Sequence, residues 1–262
     1  MKRLTALLAL VPVLAACGAT ADEAAPPSAA AAFLARATAA VTPEPAGSVR
    51  AADGSSSFAV RDGKLLRIDP LTGRRTGTYE LGGHWKLGGV SATGRWVGLT
   101  RPGTEILVVD TERGVVTHEL ALSGSFAVET ISAAGDFLFL QQNFVDGSYA
   151  VRGFDLAAGK LLPGSLGTKG KTVRMQGAAG QVVASPDGRW LLTVYVETRT
   201  NSAFVHALDL VAREPRCIPL PPCERCSAAD WTLALAPDGN TLRAANAGRQ
   251  ALIDLRSGRL VA

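Results

Sequence analysis

A repeated unit of short strands and two kinds of turn constrains the fold of this chain more than any other feature. The clearest copy runs from Gln181 to Leu210 and contains an apolar strand, the turn Ser185-Pro186-Asp187-Gly188, a second apolar strand, a polar loop and a third strand. Proline fixes φ at about −65°, and glycine adopts positive φ without steric cost, so both favour a tight turn. Strands of this length joined by such turns predict an antiparallel meander.

The unit recurs five times in the same order. Its first signature is the turn between the first two strands, found at residues 51–54, 91–94, 132–135, 185–188 and 236–239. Its second signature is an Asp that closes the third strand four residues before a Gly, at Asp69, Asp110, Asp155 and Asp254; Asp209 is followed by Arg213 instead. The turn glycines are 40, 41, 53 and 51 residues apart. A four-stranded unit of about 40–45 residues is the size of one β-propeller blade.

The predicted strands contain nearly continuous apolar runs, such as residues 106–109 and 137–140. Strands that are covered on both faces have this pattern, as they do when blades stack against each other. We therefore predict an all-β fold over residues 48–262, a β-propeller of antiparallel four-stranded blades. The two end units show no polar caps, so the five visible units predict either a closed five-bladed ring or an incomplete larger propeller.

The turn-plus-Asp pattern resembles that of bacterial propellers in the WD-repeat, YVTN-repeat and quinoprotein amine dehydrogenase-like group. The matching residues are SPDGRWL at 185–191, APDGNTL at 236–242, and the strand-final LDL and IDL at 208–210 and 253–255. The Gly-His and Trp-Asp pairs of WD repeats are absent, as is the YVTN tetrapeptide. The resemblance implies the architecture of the domain but no particular activity, because this fold hosts many unrelated functions.

Residues 1–16 have the pattern of a lipoprotein signal peptide. Lys2 and Arg3 precede an apolar run that is too short to span a bilayer. The run ends in Leu14-Ala15-Ala16-Cys17, which matches the bacterial lipoprotein box and implies a diacylglycerol anchor on Cys17. Residues 17–47 are rich in Ala and Pro and predict a disordered tether. The predicted location is therefore the extracytoplasmic face of the cell membrane, with the membrane as a partner through the lipid.

The charge and the motifs of the sequence argue against several kinds of function. Without Lys2 and Arg3 the chain has 25 basic and 23 acidic residues, so we expect no nucleic-acid partner. Residues 166–172, LGTKGKT, lack the first Gly of a phosphate-binding loop and have no predicted helix behind them. The three histidines stand apart from one another, and no HExxH or GxSxG motif is present; they are His84, His118 and His206. The sequence therefore assigns no catalytic residue, metal ligand or cofactor.

Three cysteines cluster between the fourth and fifth repeats, at Cys217, Cys223 and Cys226. Because disulfides form outside the cytoplasm, we expect a bridge from Cys217 to Cys226 or, as the second choice, to Cys223. A metal site, which would lack an evident fourth ligand, and exposed reactive thiols are the two alternatives. Trp96 and Trp190 occupy the same position after successive turn glycines, so we predict that both pack between blades.

The sequence predicts a lipid-anchored, extracytoplasmic propeller that works as a non-enzymatic binding or scaffold module. Its ligand would be a protein or a small molecule at a propeller face. The alternative is a hydrolase or lyase that acts on a small extracellular substrate, as in the lactonases and streptogramin lyases that resemble this group. A His with two or more carboxylates on the central channel would favour the enzyme.

Overall fold

A computed structural model describes residues 47–101, 104–197, 199–223 and 226–261 of the chain, and these residues form a β-propeller as predicted. The described residues contain five antiparallel sheets of four strands each. In every sheet the strands lie side by side in chain order, so each blade is a meander. A 3₁₀ turn at Ala228–Asp230 precedes the fifth blade. In the described ranges, no helix is long and apolar enough to cross a membrane.

The blades follow one another along the chain. The first two consist of β1 (Val49–Arg50), β2 (Ser57–Arg61), β3 (Lys64–Ile68) and β4 (Arg75–Glu80), then β5 (Lys86–Val90), β6 (Trp96–Arg101), β7 (Glu105–Asp110) and β8 (Val115–Ala121). The third consists of β9 (Ser125–Ile131), β10 (Phe137–Asn143), β11 (Tyr149–Asp155) and β12 (Lys160–Leu161). The last two consist of β13 (Ala178–Ala184), β14 (Trp190–Glu197), β15 (Ser202–Asp209) and β16 (Glu214–Pro219), then β17 (Thr232–Leu235), β18 (Thr241–Asn246), β19 (Arg249–Asp254) and β20 (Arg259–Leu260).

The first turn of each unit is closed by its glycine and, in three units, by its serine. In all five units the N–H of the turn Gly donates to the carbonyl three residues earlier at 2.9–3.0 Å, and the Gly has φ between 68° and 75°. The Oγ atoms of Ser91, Ser132 and Ser185 each accept the backbone N–H five residues later, at 3.0, 3.1 and 2.8 Å. The repeated residues therefore specify the same backbone in every unit.

The Asp that closes the third strand holds the second turn. Asp209 Oδ1 accepts the N–H groups of Val211 and Ala212 at 3.1 and 2.9 Å. Arg213 has φ of 58° at the position where other units have Gly, so this copy keeps the turn. The buried Asp209 carboxylate also pairs with Arg189 at 3.0 Å. The same pair of backbone bonds is made by Asp69, Asp110 and Asp254.

Successive blades pack through shared apolar cores, and the first strands approach most closely. A Cβ built on Gly89 would overlap the backbone of Thr130 in the next blade. Trp190 is fully buried in the core between blades four and five, and Trp96 packs partly buried between blades two and three. The prediction that both tryptophans lie between blades is therefore confirmed.

In each end blade, the face toward the neighbouring blade is buried more completely than the opposite face. In blade one Phe58 is fully buried toward blade two, whereas Leu66 on the opposite face is only partly buried. In blade five Leu242 is fully buried toward blade four, whereas Arg243 faces the other way and is partly buried. No described atom lies within 4 Å of a Cβ built at Gly54, the turn glycine of blade one. The described contacts join blade one to two, two to three, three to four and four to five.

Candidate functional site

The interface between blades three and four contains several titratable side chains whose pKa values are shifted by burial. Side chains of the two facing sheets form a row that runs from the inner strand of blade three to the outer strand of blade four. We call this row the cleft. Its members are Glu129, Tyr149, Met175, Tyr195, His206 and Cys217. Titratable groups with perturbed pKa values cluster at functional sites.

Glu129 lies on β9 at a β-bulge. Phe139 and Leu140 of the next strand pair with Thr130 and Val128, so Glu129 has no partner across the sheet. Val128 packs against blade two, whereas the charge of Glu129 acts on Tyr195 of blade four, so Glu129 lies on the side of blade four. Bulges often re-aim one side chain beside a functional site.

The Glu129 carboxylate lacks a compensating charge. Glu129 is partly buried, and desolvation raises its pKa to about 7 without a charge or hydrogen bond that opposes the rise. At the bulge of blade four, by contrast, Gln181 accepts the N–H of Leu233 in blade five at 2.7 Å. The bulge of blade four therefore holds a satisfied amide, whereas the bulge of blade three holds an unpaired acid. An acid with this pKa changes its protonation near neutral pH.

Two tyrosines form the middle of the cleft. Tyr149 on β11 and Tyr195 on β14 are each 3% exposed, and their rings stack with centroids 5.1 Å apart. Burial raises the pKa of both phenols, and the nearby charge of Glu129 adds to the rise at Tyr195. The hydroxyl of Tyr149 makes no hydrogen bond of good geometry with the described residues, although the hydroxyl of Tyr195 lies near enough to contribute to its pKa. A buried donor without a partner costs free energy that a bound ligand could recover.

His206 lies next to the tyrosines on β15. It is 2% exposed, and its ring meets the ring of Tyr195 edge to face at 6.1 Å. Its Nε2 has no hydrogen-bond partner in the described part of the chain. Burial lowers the pKa of His206 to about 4, so the imidazole is neutral at neutral pH. Directly opposite His206 on the outer strand β16 is Cys217.

The connection between blades three and four covers the outer end of the cleft. Met175 in this connection pairs with Tyr149 and extends the outer edge of blade three. Together with β16, the connection encloses a cavity of about 250 Å³. Its walls are mostly apolar and include Val151, Leu166, Val173, Met175, Pro215 and Cys217. Residues 166–172, which resemble a phosphate-binding loop, lie in this connection, and no helix follows them.

The cysteine pairing differs from the expected one. Cys223 is bridged to Cys226, with Cα atoms 5.7 Å apart, whereas Cys217 is an unbridged, exposed cysteine. The expectation that Cys217 pairs with Cys226 or Cys223 was therefore wrong. The reason is strand alternation: Ile218 faces the core between blades four and five, where Cys223 lies, so Cys217 points to the opposite side, toward blade three.

Most other residues singled out in the sequence lie away from the cleft. His84 is exposed before β5, and His118 is partly buried on the outer strand β8. Cys17 lies outside the described residues. Within the described ranges, no three His, Cys, Asp or Glu side chains converge as a metal site.

Sequence reasoning missed Glu129, Tyr149, Tyr195 and Met175. One signal was available for Glu129: three residues before the turn, the other four units have the uncharged residues Ser48, Gly88, Val182 and Leu233, so an acid there breaks the pattern.

Comparison with known proteins gives structural similarity without a family match. No protein-family profile and no curated protein matches the chain. Hydrazine synthase from Kuenenia stuttgartiensis is similar in structure, with 16% identity and a TM-score of 0.44 over 83% of this chain and 79% of that chain. Dihydro-heme d1 dehydrogenase NirN in complex with DHE has 14% identity and a TM-score of 0.45 over 84% of this chain and 46% of that chain. At these identities and TM-scores, neither similarity bears on the function of this chain.

Proposed function

We propose that this chain is a lipid-anchored, extracytoplasmic β-propeller that acts as a binding module and not as an enzyme. The anchor rests on the box Leu14 to Cys17, which ends the signal pattern and precedes the tether. The nearly balanced charge of the mature chain favours a protein or a small molecule over nucleic acid as the partner.

The cleft between blades three and four is the observation that carries the binding role. It combines a cavity of about 250 Å³ with mostly apolar walls. Two deeply buried polar atoms without partners, Tyr149 Oη and His206 Nε2, belong to the direct strand partners of the cavity-lining Met175 and Cys217. Binding sites for small molecules have this character: apolar walls with a few polar groups that fix orientation. We therefore place the ligand of the module in this cleft and expect it to be small.

The inner strands support binding over catalysis. In the described part of the chain, β1, β5, β9, β13 and β17 contain one carboxylate, Glu129, and no histidine. The combination of a His with two or more carboxylates, which would favour an enzyme, does not occur on these strands.

A hydrolase or lyase is the second candidate, and one observation favours it. Glu129 has a pKa of about 7, which suits a general base at neutral pH, because efficient proton transfer needs a pKa near the working pH. The hydroxyl of Tyr149 is a possible second polar group for such chemistry, since it is buried and unpaired.

The anchor predicts a simple fractionation result. We expect Cys17→Ser to move the protein from the membrane fraction to the soluble fraction, because the thiol that carries the lipid is absent. The thermal midpoint of the domain should stay the same, since Cys17 lies far in sequence from residues 48–262. A Cys17→Ser protein that stays bound to membranes would contradict the lipoprotein assignment.

The cleft predicts selective binding without turnover. We expect small esters and lactones to raise the thermal midpoint of the full chain and to be recovered unchanged. Val173→Trp should abolish the shift, because Val173 is 49% exposed on the cavity wall and the indole would fill the space. Val145→Trp is the matched control, since Val145 is fully exposed in the hairpin loop of blade three and does not line the cavity. Hydrolysis that Glu129→Gln removes would overturn the proposal in favour of the hydrolase.

A further inference from the structure

Two sulfur atoms lie side by side at the outer end of the cleft. Cys217 Sγ is 3.9 Å from Met175 Sδ, and both residues line the cavity. A metal bonded to two sulfurs at about 2.3 Å with an angle of 120° needs them about 4 Å apart. The observed distance matches this requirement.

A third ligand faces the same side of the sheet. His206 and Cys217 are direct partners in the pairing of β15 with β16, so their side chains project from one face. Side chains in such a pair have Cβ atoms about 4.5–5.5 Å apart, which is within reach of a shared ion. His206 is 2% exposed, and its Nε2 has no partner among the described residues. An unpartnered imidazole nitrogen in a buried site is the second, independent sign of a ligand.

We infer that Cys217, Met175 and His206 bind one Cu(I) ion in the cleft. Thiolate, thioether and imidazole form a soft donor set that selects Cu(I), whereas hard cations prefer oxygen ligands. Zinc sites use thiolates, imidazoles and carboxylates, and a thioether is not among their usual ligands. This inference rests on the proposed binding role of the cleft and adds a soft metal ion to the ligands that it would take.

The structure also explains how the ion would reach the site. Cys217 is exposed and Met175 is partly buried, whereas His206 is 2% exposed, so the two sulfurs can meet the ion before it contacts the buried imidazole. Binding converts the Cys217 thiol to a thiolate and releases one proton, and the charge of the ion compensates for the charge of the thiolate. No described acidic side chain takes part in the donor set.

The test is an anaerobic titration of the full chain with Cu(I) in competition with a chromogenic copper chelator. We expect one Cu(I) per chain, and X-ray absorption of the wild-type complex should show two sulfur ligands and one nitrogen ligand. Cys217→Ser should abolish binding, and Met175→Leu and His206→Gln should each weaken it at least tenfold. Zn(II) at the same concentration should leave the protein unoccupied.

The controls separate this site from the other thiols and histidines. Cys17→Ser and His118→Gln should bind Cu(I) as the wild type does, and circular dichroism should show that every variant is folded. The inference is overturned if Cys217→Ser keeps its copper or if the absorption spectrum shows only oxygen and nitrogen ligands. A chain that binds small organic molecules but no copper would overturn the inference while the proposed function stands.

Discussion

We expect Gly89→Ala to lower the free energy of unfolding by about 3 kcal/mol or more. A Cβ at residue 89 would overlap Thr130 Cα and lie 2.5 Å from the backbone carbonyl of Glu129. Both obstacles are main chain, so no side-chain rotation relieves them. Blades two and three would have to separate, and the core that Val128 forms between them would open. Chemical denaturation followed by circular dichroism measures the loss.

Gly54→Ala is the matched control for this substitution. Gly54 has φ of 74° but no described atom within 4 Å of a new Cβ, so only the backbone strain of about 1–2 kcal/mol remains. Equal losses for Gly54→Ala and Gly89→Ala would show that the close approach of the two blades contributes nothing to stability.

We expect Glu129→Gln to stabilise the fold at pH 8 by about 2–3 kcal/mol and to change it little at pH 4.5. The pKa of Glu129 is about 7 in the folded state, above its ordinary value of 4.5, because the site desolvates the charge. The folded state therefore holds the proton more tightly than the unfolded state does. The contribution of this group to stability is complete below pH 4.5 and is lost as the pH rises through 7.

The measurement is the free energy of unfolding of both proteins from pH 4.5 to pH 8. The amide keeps the size of the side chain without a charge, so the difference between the two curves isolates the titration of Glu129. Glu119→Gln, on the exposed outer strand β8, controls for the loss of one negative charge. A Glu129→Gln protein that is less stable than the wild type at pH 8 would mean that the carboxylate has a favourable partner when ionised.

The local structure of the blades was predictable because each turn carries its own chemistry. The Ser-Pro-Asp-Gly sequence at 185–188 contains a hydroxyl, a fixed φ and a residue free to adopt positive φ, and the structure uses the hydroxyl and the glycine. Asp209 likewise bonds backbone groups only two and three residues ahead. Such interactions depend on neighbours in sequence, so a single copy is interpretable and five copies confirm each other.

The predicted cysteine pairing was wrong because it depended on the short sequence distance between the cysteines. It left out which face of the outer strand each cysteine lies on. Cys217 is six residues from Cys223, but the two lie on opposite sides of the outer strand of blade four. Ile218 and Leu220, both buried toward blade five, were the visible clue to that alternation. The packing of Ile218 and Leu220 fixes which face of the sheet each residue of the strand occupies. A short loop after the strand does not bring Cys217 round to the face on which Cys223 lies.

By itself the sequence determined the repeat, the four strands of each blade and their turns. These features depend on backbone hydrogen bonds between residues of the same repeat unit. The tertiary structure alone decided which side chains meet in the cleft. Glu129 and Tyr149 belong to blade three, whereas Tyr195, His206 and Cys217 belong to blade four. They come together only because two separately formed sheets stack face to face, and the propensities of single strands do not encode which residues of the next blade will lie opposite. The resulting desolvation, which moves the pKa of Glu129 upward and that of His206 downward, is a property of that stacking.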